Sequence, residues 1–62
     1  MPIVEIHMLQ GRDLKAKQEL VQRVTDAVCV SLGVQREQVR IIIREMKDED
    51  YAAGGVLWSE RT

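Results

Sequence analysis

The chain has 62 residues, 45% hydrophobic and 31% charged, with a formal net charge of -1. This is the composition of a folded chain of one domain at most, residues 1–62, and the near-neutral balance leaves no basic footprint for nucleic acid or an anionic membrane. A single cysteine and a single histidine leave no internal disulfide and no structural zinc site, so the expected cofactor and metal content is none.

No apolar run approaches the roughly 20 residues of a membrane span. Met1-Pro2-Ile3-Val4-Glu5 does not read as a signal peptide, and with the lone cysteine it points to a cytoplasmic setting. A chain this short offsets its ordering entropy poorly with its own core. Disulfides and metal are unavailable to it, so self-association is the expected device.

Ile3 to Leu9 alternates: Val4, Ile6 and Met8 fall on one face, and Ile3, Glu5, His7 and Leu9 on the other, which predicts a strand. Gln10-Gly11-Arg12 breaks the pattern. Asp13 is a plausible N-cap for a helix over Leu14 to Leu32, whose stripe is Leu20, Val21, Val24, Ala27, Val28 and Leu32. Gly33 stands where a left-handed C-terminal residue is wanted.

Val34 to Gln38 is a short polar connection with room for one helical turn. Val39 to Met46 is the second strand, and its central isoleucine run suggests burial on both faces. Lys47 to Asp50 is a charged loop, and Gly54-Gly55 signals a turn. Val56-Leu57-Trp58 is either a short final strand or an arm, with Leu57 and Trp58 candidates to dock on a neighbouring subunit. Strand, long helix, strand is a βαβ unit with a parallel two-stranded sheet and a right-handed crossover. Its one helix covers one sheet face and leaves the other to be covered by something else.

The residues capable of chemistry are few. There is no phosphate-binding loop, no nucleophile elbow and no cluster of metal ligands. Removal of Met1 would leave Pro2 as a secondary amine at the head of a strand; α-amino groups titrate near about 8, and desolvation or nearby cations lower that value toward the range of a good base. While Met1 is attached, the Pro2 nitrogen is a tertiary amide and no base. Arg40 lies at Pro2's end of a parallel sheet and Arg12 at the opposite end, so an interface between subunits is needed to bring both to one ligand. Guanidinium groups bind carboxylates bidentately. Tyr51 and Trp58 are the aromatics able to wall off a site. Taken singly, each feature has an ordinary explanation: a strand-opening proline, surface arginines, packed aromatics.

Together they resemble a known pattern. Pro2-Ile3, Ile6-His7, Leu9, Gly11-Arg12, Ser31-Leu32, Val39-Arg40, Ile42-Ile43, Glu45-Met46 and Gly54-Gly55, with the length and the Met-Pro start, resemble 4-oxalocrotonate tautomerase of the tautomerase superfamily, across nearly the whole chain. The resemblance implies an α+β fold, a βαβ unit with a short C-terminal hairpin, assembled as a hexamer built from dimers. It implies a cofactor-independent isomerase in which Pro2, freed of Met1, moves a proton from the 2-hydroxyl of a dienol such as 2-hydroxymuconate to carbon 5. Arg40 from a neighbouring subunit would bind the carboxylate and carbonyl end, and Arg12 from another would hold the distal carboxylate. The Leu9 backbone N–H would help orient substrate, and Tyr51 would stand in the hydrophobic wall.

This sequence departs from the family at Tyr51, where phenylalanine is usual, and most of all from Val56 to Thr62. The related haloacrylate dehalogenases carry a water-activating glutamate in the loop where Ala52-Ala53 stands here, and an extra arginine where Leu9 stands, which favours tautomerisation over hydration. The expected ligand is an unsaturated dicarboxylate. The expected assembly is a homo-hexamer, or a hetero-hexamer in which this chain is a catalytically weak partner subunit. A ribbon-helix-helix DNA binder fits the length and opening strand but not the charge.

Overall fold

The computed structural model describes residues 1–61. Strand β1 spans Ile3–Leu9, helix α1 Leu14–Leu32, strand β2 Arg40–Met46, and two short strands, β3 at Ala52–Ala53 and β4 at Val56–Leu57, form a C-terminal hairpin. β1 and β2 pair in parallel, Ile3 opposite Arg40 through Leu9 opposite Met46. Both ends of this ladder are extended by one bond: the Arg40 amide donates to the Pro2 carbonyl at 3.0 Å, and the Gln10 amide to the Met46 carbonyl at 2.8 Å. The fold is the βαβ unit that the chain's periodicities lead one to expect, with the short C-terminal hairpin that the family resemblance implies.

Local chemistry sets the boundaries of α1. The Asp13 carboxylate accepts from the Ala16 amide at 2.8 Å, satisfying an N–H that the first turn leaves without an intrahelical partner. At the other end Gly33 adopts φ 69°, and its amide donates to the Cys29 carbonyl, a left-handed cap that costs a residue with a Cβ more than it costs glycine. β2 begins one residue later than the apolar pattern suggests. The Val39 amide is used to close a 3-10 turn by donating to the Arg36 carbonyl at 3.1 Å. The charged loop after β2 likewise winds into a 3-10 turn at Asp48–Asp50.

α1 lies over the sheet face formed by Val4, Ile6 and Met8 of β1 and Ile41 and Ile43 of β2, all half-buried. The helix residues that turn inward are Lys17, Leu20, Val21, Val24, Thr25, Val28 and Cys29. Ala27 and Leu32, expected on that stripe, are exposed: Ala27 falls at the edge of the half-buried arc, and Leu32, though in phase with Val28, is the last residue of the helix. Lys17 reaches across the layer to form an ion pair with Glu45 of β2.

The isoleucine run is not buried on both faces within the chain. Ile42 is 39% exposed and Ile3 58% exposed, since a single helix covers a single face. Among the described residues none is fully buried. The chain measures 43 × 24 × 13 Å, with a Cα radius of gyration of 14.7 Å, against about 11 Å for a compact chain of this length.

The hairpin supplies the long dimension. Ala53 pairs with Val56, leaving Gly54-Gly55 as a two-residue loop. Both glycines have positive φ, 62° and 83°, the requirement of the tight turn whose twist suits adjacent antiparallel strands. Asp13→Ala should lower unfolding stability by about 1 kcal/mol and Asp13→Asn should restore most of it, as read from urea unfolding followed by circular dichroism.

Candidate active site

The parallel register decides which candidate residues meet. Pro2 immediately precedes β1 and its carbonyl is bonded to the Arg40 amide, so Pro2 and Arg40 are neighbours at the amino end of the sheet. Leu9 closes β1 at the carboxyl end, with Arg12 just beyond it and Tyr51 on the arm that follows β2. At about 3.3 Å per residue, the seven residues of β1 separate those ends by roughly 20 Å. One chain therefore holds two half-constellations: Pro2 with Arg40 at one end, and Leu9, Arg12 and Tyr51 towards the other.

The charges around the arginines separate them into two groups. Arg23 faces Glu19 at 2.8 Å, Arg36 faces Asp26, and Arg44 faces Glu5 at 3.6 Å. Among the described residues Arg12, Arg40 and Arg61 have no carboxylate partner. Arg40 donates through Nη1 to the Glu37 carbonyl. That fixes the guanidinium at the turn before β2 while leaving most of its five donors unused. Arg12 lines a cleft of about 320 Å³ with Met8, Ala16, Lys17 and Leu20, an apolar floor rimmed by cationic groups where the helix meets the carboxyl end of the sheet.

Tyr51 and Trp58 pack on each other, ring centroids 5.6 Å apart and planes inclined at 58°. The Arg61 guanidinium stands 5.2 Å from the Trp58 ring centre. Trp58 is thus engaged on one side within its own chain and remains 40% exposed. Arg61 was not singled out by the sequence, in which it is one more basic residue of a divergent tail. The only signal for it was its spacing of three from Trp58, one turn of a short helix. The described residues contain no group of histidine, cysteine and acidic side chains placed to hold a metal ion, and no helix is long and apolar enough to cross a membrane.

Residues 2–61 match the tautomerase family, described as tautomerase enzymes. The chain belongs to the tautomerase family. It is 43% identical over 60 residues to a probable tautomerase from Listeria innocua, covering 97% of this chain and 98% of that one. A crystal structure of a 4-oxalocrotonate tautomerase homologue superposes with a TM-score of 0.92 at 39% identity, covering 100% of this chain and 98% of the other. A heterohexamer 4-oxalocrotonate tautomerase from Chloroflexus aurantiacus superposes with a TM-score of 0.90 at 32% identity, covering 97% of each chain. Tautomerase family membership implies isomerase activity, and these likenesses make the fold of the chain the 4-oxalocrotonate tautomerase fold.

Met1 is 74% exposed and precedes a small residue, so it is open to removal. Intact-mass measurement of the purified tautomerase-family chain should show the loss of one methionine; a mass retaining Met1 would leave the Pro2 nitrogen an amide.

Proposed function

We propose that the protein is a cofactor-independent keto–enol tautomerase acting on an unsaturated dicarboxylate of the 2-hydroxymuconate type, with Pro2 as base and acid. The observation that carries this reading is the adjacency of Pro2 and Arg40, joined by the 3.0 Å backbone bond across β1 and β2. It places an arginine without a carboxylate partner among the described residues on the strand next to the nitrogen that becomes an amine once Met1 leaves. That guanidinium donates to the Glu37 carbonyl of its own chain, and in the proposed assembly the cation that meets the amine is Arg40 of a neighbouring chain.

In this scheme the Pro2 nitrogen accepts the proton of the substrate's 2-hydroxyl. The oxygen's electrons form the C2 carbonyl, the C2–C3 double bond moves to C3–C4, and the C4–C5 pair takes a proton at carbon 5 from the same nitrogen. The base is thereby regenerated and no atom is gained or lost. Negative charge builds on the 2-oxygen as its proton departs, and a guanidinium held there lowers the barrier because the charge it meets is larger in the transition state than in the ground state. Cations near the amine and exclusion of water both disfavour protonated proline, which brings its pKa toward the range useful to a base.

The same scheme requires more than one chain. A six-carbon dicarboxylate cannot bridge the roughly 20 Å between Pro2 and Arg12 within one β1 strand. Leu9, Arg12 and Tyr51 reach the Pro2–Arg40 pair only from neighbouring chains. The open sheet face, with Ile3 and Ile42 exposed, and the absence of any fully buried residue among those described support assembly, with a hexamer as the proposed form. In it Arg12 would hold the distal carboxylate, the Leu9 amide would orient substrate and Tyr51 would wall the site. A cytoplasmic setting and a place in the breakdown of aromatic compounds fit this substrate class.

A second reading, a catalytically weak subunit of a hetero-hexamer, is favoured by the likeness to the Chloroflexus aurantiacus heterohexamer protein. It predicts that the chain purified alone is inert and gains activity only with a second, homologous chain.

Ketonisation of 2-hydroxymuconate, followed by ultraviolet absorbance, tests the first reading. Pro2→Ala should lower kcat by at least about 100-fold, the usual worth of a general base. An unaffected Pro2→Ala variant would remove proline from the mechanism. Refolding Pro2→Ala chains together with Arg12→Ala chains should return activity that neither variant has alone, because some mixed sites then draw Pro2 and Arg12 from intact chains. No gain on mixing would mean that each site is built from one chain.

A further inference from the structure

The arm beyond β2 contains a closed arrangement of side chains of which the proposed chemistry uses only Tyr51. Tyr51 and Trp58 flank the β3–β4 hairpin. The Trp58 amide donates to the Tyr51 carbonyl at 2.7 Å, and the two rings meet at 5.6 Å in a tilted geometry of the kind that aromatic quadrupoles favour. Arg61 closes the arrangement from the other side. Its amide donates to the Trp58 carbonyl at 3.1 Å, its Nη2 donates to the Ala53 carbonyl at 2.9 Å, and its guanidinium sits 5.2 Å from the Trp58 ring centre, within reach of a cation–π attraction.

β3 and β4 have only two residues each, and a hairpin of that size does not hold its own shape in water. The rings and the guanidinium supply the missing constraint. The turn at Asp48–Asp50 packs against the turn at Trp58–Glu60, so the arm closes on itself at its base.

We propose that Trp58 is a positioning residue for Tyr51, locked in place by Arg61, and that this C-terminal clamp sets how tightly the site grips an unsaturated dicarboxylate. The inference rests on the assignment of Tyr51 to the wall of the site. It places a determinant of substrate affinity at residues 58 and 61, inside the segment that departs most from the family pattern. Tyr51 is 40% exposed and Trp58 40% exposed, so each ring keeps a free surface while its other side is pinned. Trp58 contributes no group to proton transfer; it removes rotational freedom from Tyr51, which lowers the entropic cost of binding rather than the barrier of the chemical step.

The test is steady-state ketonisation of 2-hydroxymuconate by the full chain and by Trp58→Ala, Trp58→Phe and Arg61→Gln. Trp58→Ala should raise KM by about threefold to tenfold, the worth of one aromatic pair, with kcat changed by less than about twofold. Trp58→Phe, which keeps a ring against Tyr51, should recover most of the loss, and Arg61→Gln should raise KM by a smaller factor in the same direction. A KM in Trp58→Ala equal to that of the unmodified protein overturns the proposal, as does a Trp58→Phe variant impaired as badly as the alanine.

Trp58 is the only tryptophan, so its emission reads the clamp without turnover. Titration with cis,cis-muconate, a dicarboxylate lacking the transferable hydroxyl proton, should change that emission saturably. Saturable change in a protein that fails to ketonise 2-hydroxymuconate would sink the catalytic assignment and keep the clamp. Full activity with a silent Trp58 would do the reverse.

Discussion

A two-stranded sheet has two faces, and this chain owns one helix. Most of the structure follows from that mismatch. α1 covers Val4, Ile6, Met8, Ile41 and Ile43, and among the described residues Ile3 and Ile42, on the other face, stay partly exposed. No described side chain is fully buried, so the apolar surface removed from water is small against the entropy of ordering the chain. The elongated outline, 43 Å in its longest dimension, has the same origin. An arm that folds back on its own aromatics rather than on the βαβ unit adds length without adding core. In the proposed assembly the missing stability would come from copies of the chain or from close relatives, and it would then vary with concentration.

Parallel pairing has a second effect, on where chemistry can be placed. An antiparallel hairpin would return the chain to its starting end and bring residue 12 back towards the N-terminus. The right-handed crossover through α1 instead sets the beginnings of both strands together and their ends together. Pro2 is thereby matched with Arg40, whereas Arg12 and Tyr51 are carried to the far end. The arginines that lack a carboxylate partner among the described residues, Arg12, Arg40 and Arg61, are spread over both ends and the arm. Those with ion pairs, Arg23, Arg36 and Arg44, are tied down by acids on the same or the neighbouring element.

Much of this was legible in the sequence because it is local. Period-2 and period-3.6 patterns mark β1 and α1, Asp13 and Gly33 mark the helix ends, and Gly54-Gly55 marks the hairpin. The parallel direction of β1 and β2 follows from connectivity, and with it the separation of Pro2 from Arg12. The rest depends on three-dimensional angle or on contact, which periodicity does not carry. Ala27 and Leu32 are apolar and close in phase to the stripe, but Ala27 falls at its edge and Leu32 at the last residue of the helix. The isoleucine run looks doubly buried because it is apolar on both faces, while the chain's one helix covers only one of them. The pairing of Trp58 with Tyr51, and the stacking of Arg61 on it, join residues across a hairpin whose strands are too short to announce themselves.

The ladder between β1 and β2 also orders events in time. Every rung, from Ile3 with Arg40 to Leu9 with Met46, closes a loop that contains the whole of α1, so no rung forms until most of the chain has left the ribosome. α1 is a local structure with caps at both ends and is free to form on its own far sooner. β1 is made well before its partner β2 and waits for it, and until then its backbone donors and acceptors are an unclaimed edge. The interval between synthesis of residue 9 and residue 46 is the period in which this protein is most exposed to wrong partners, and the alternation of Glu5 and His7 with Val4, Ile6 and Met8 keeps that waiting strand from being apolar on both sides.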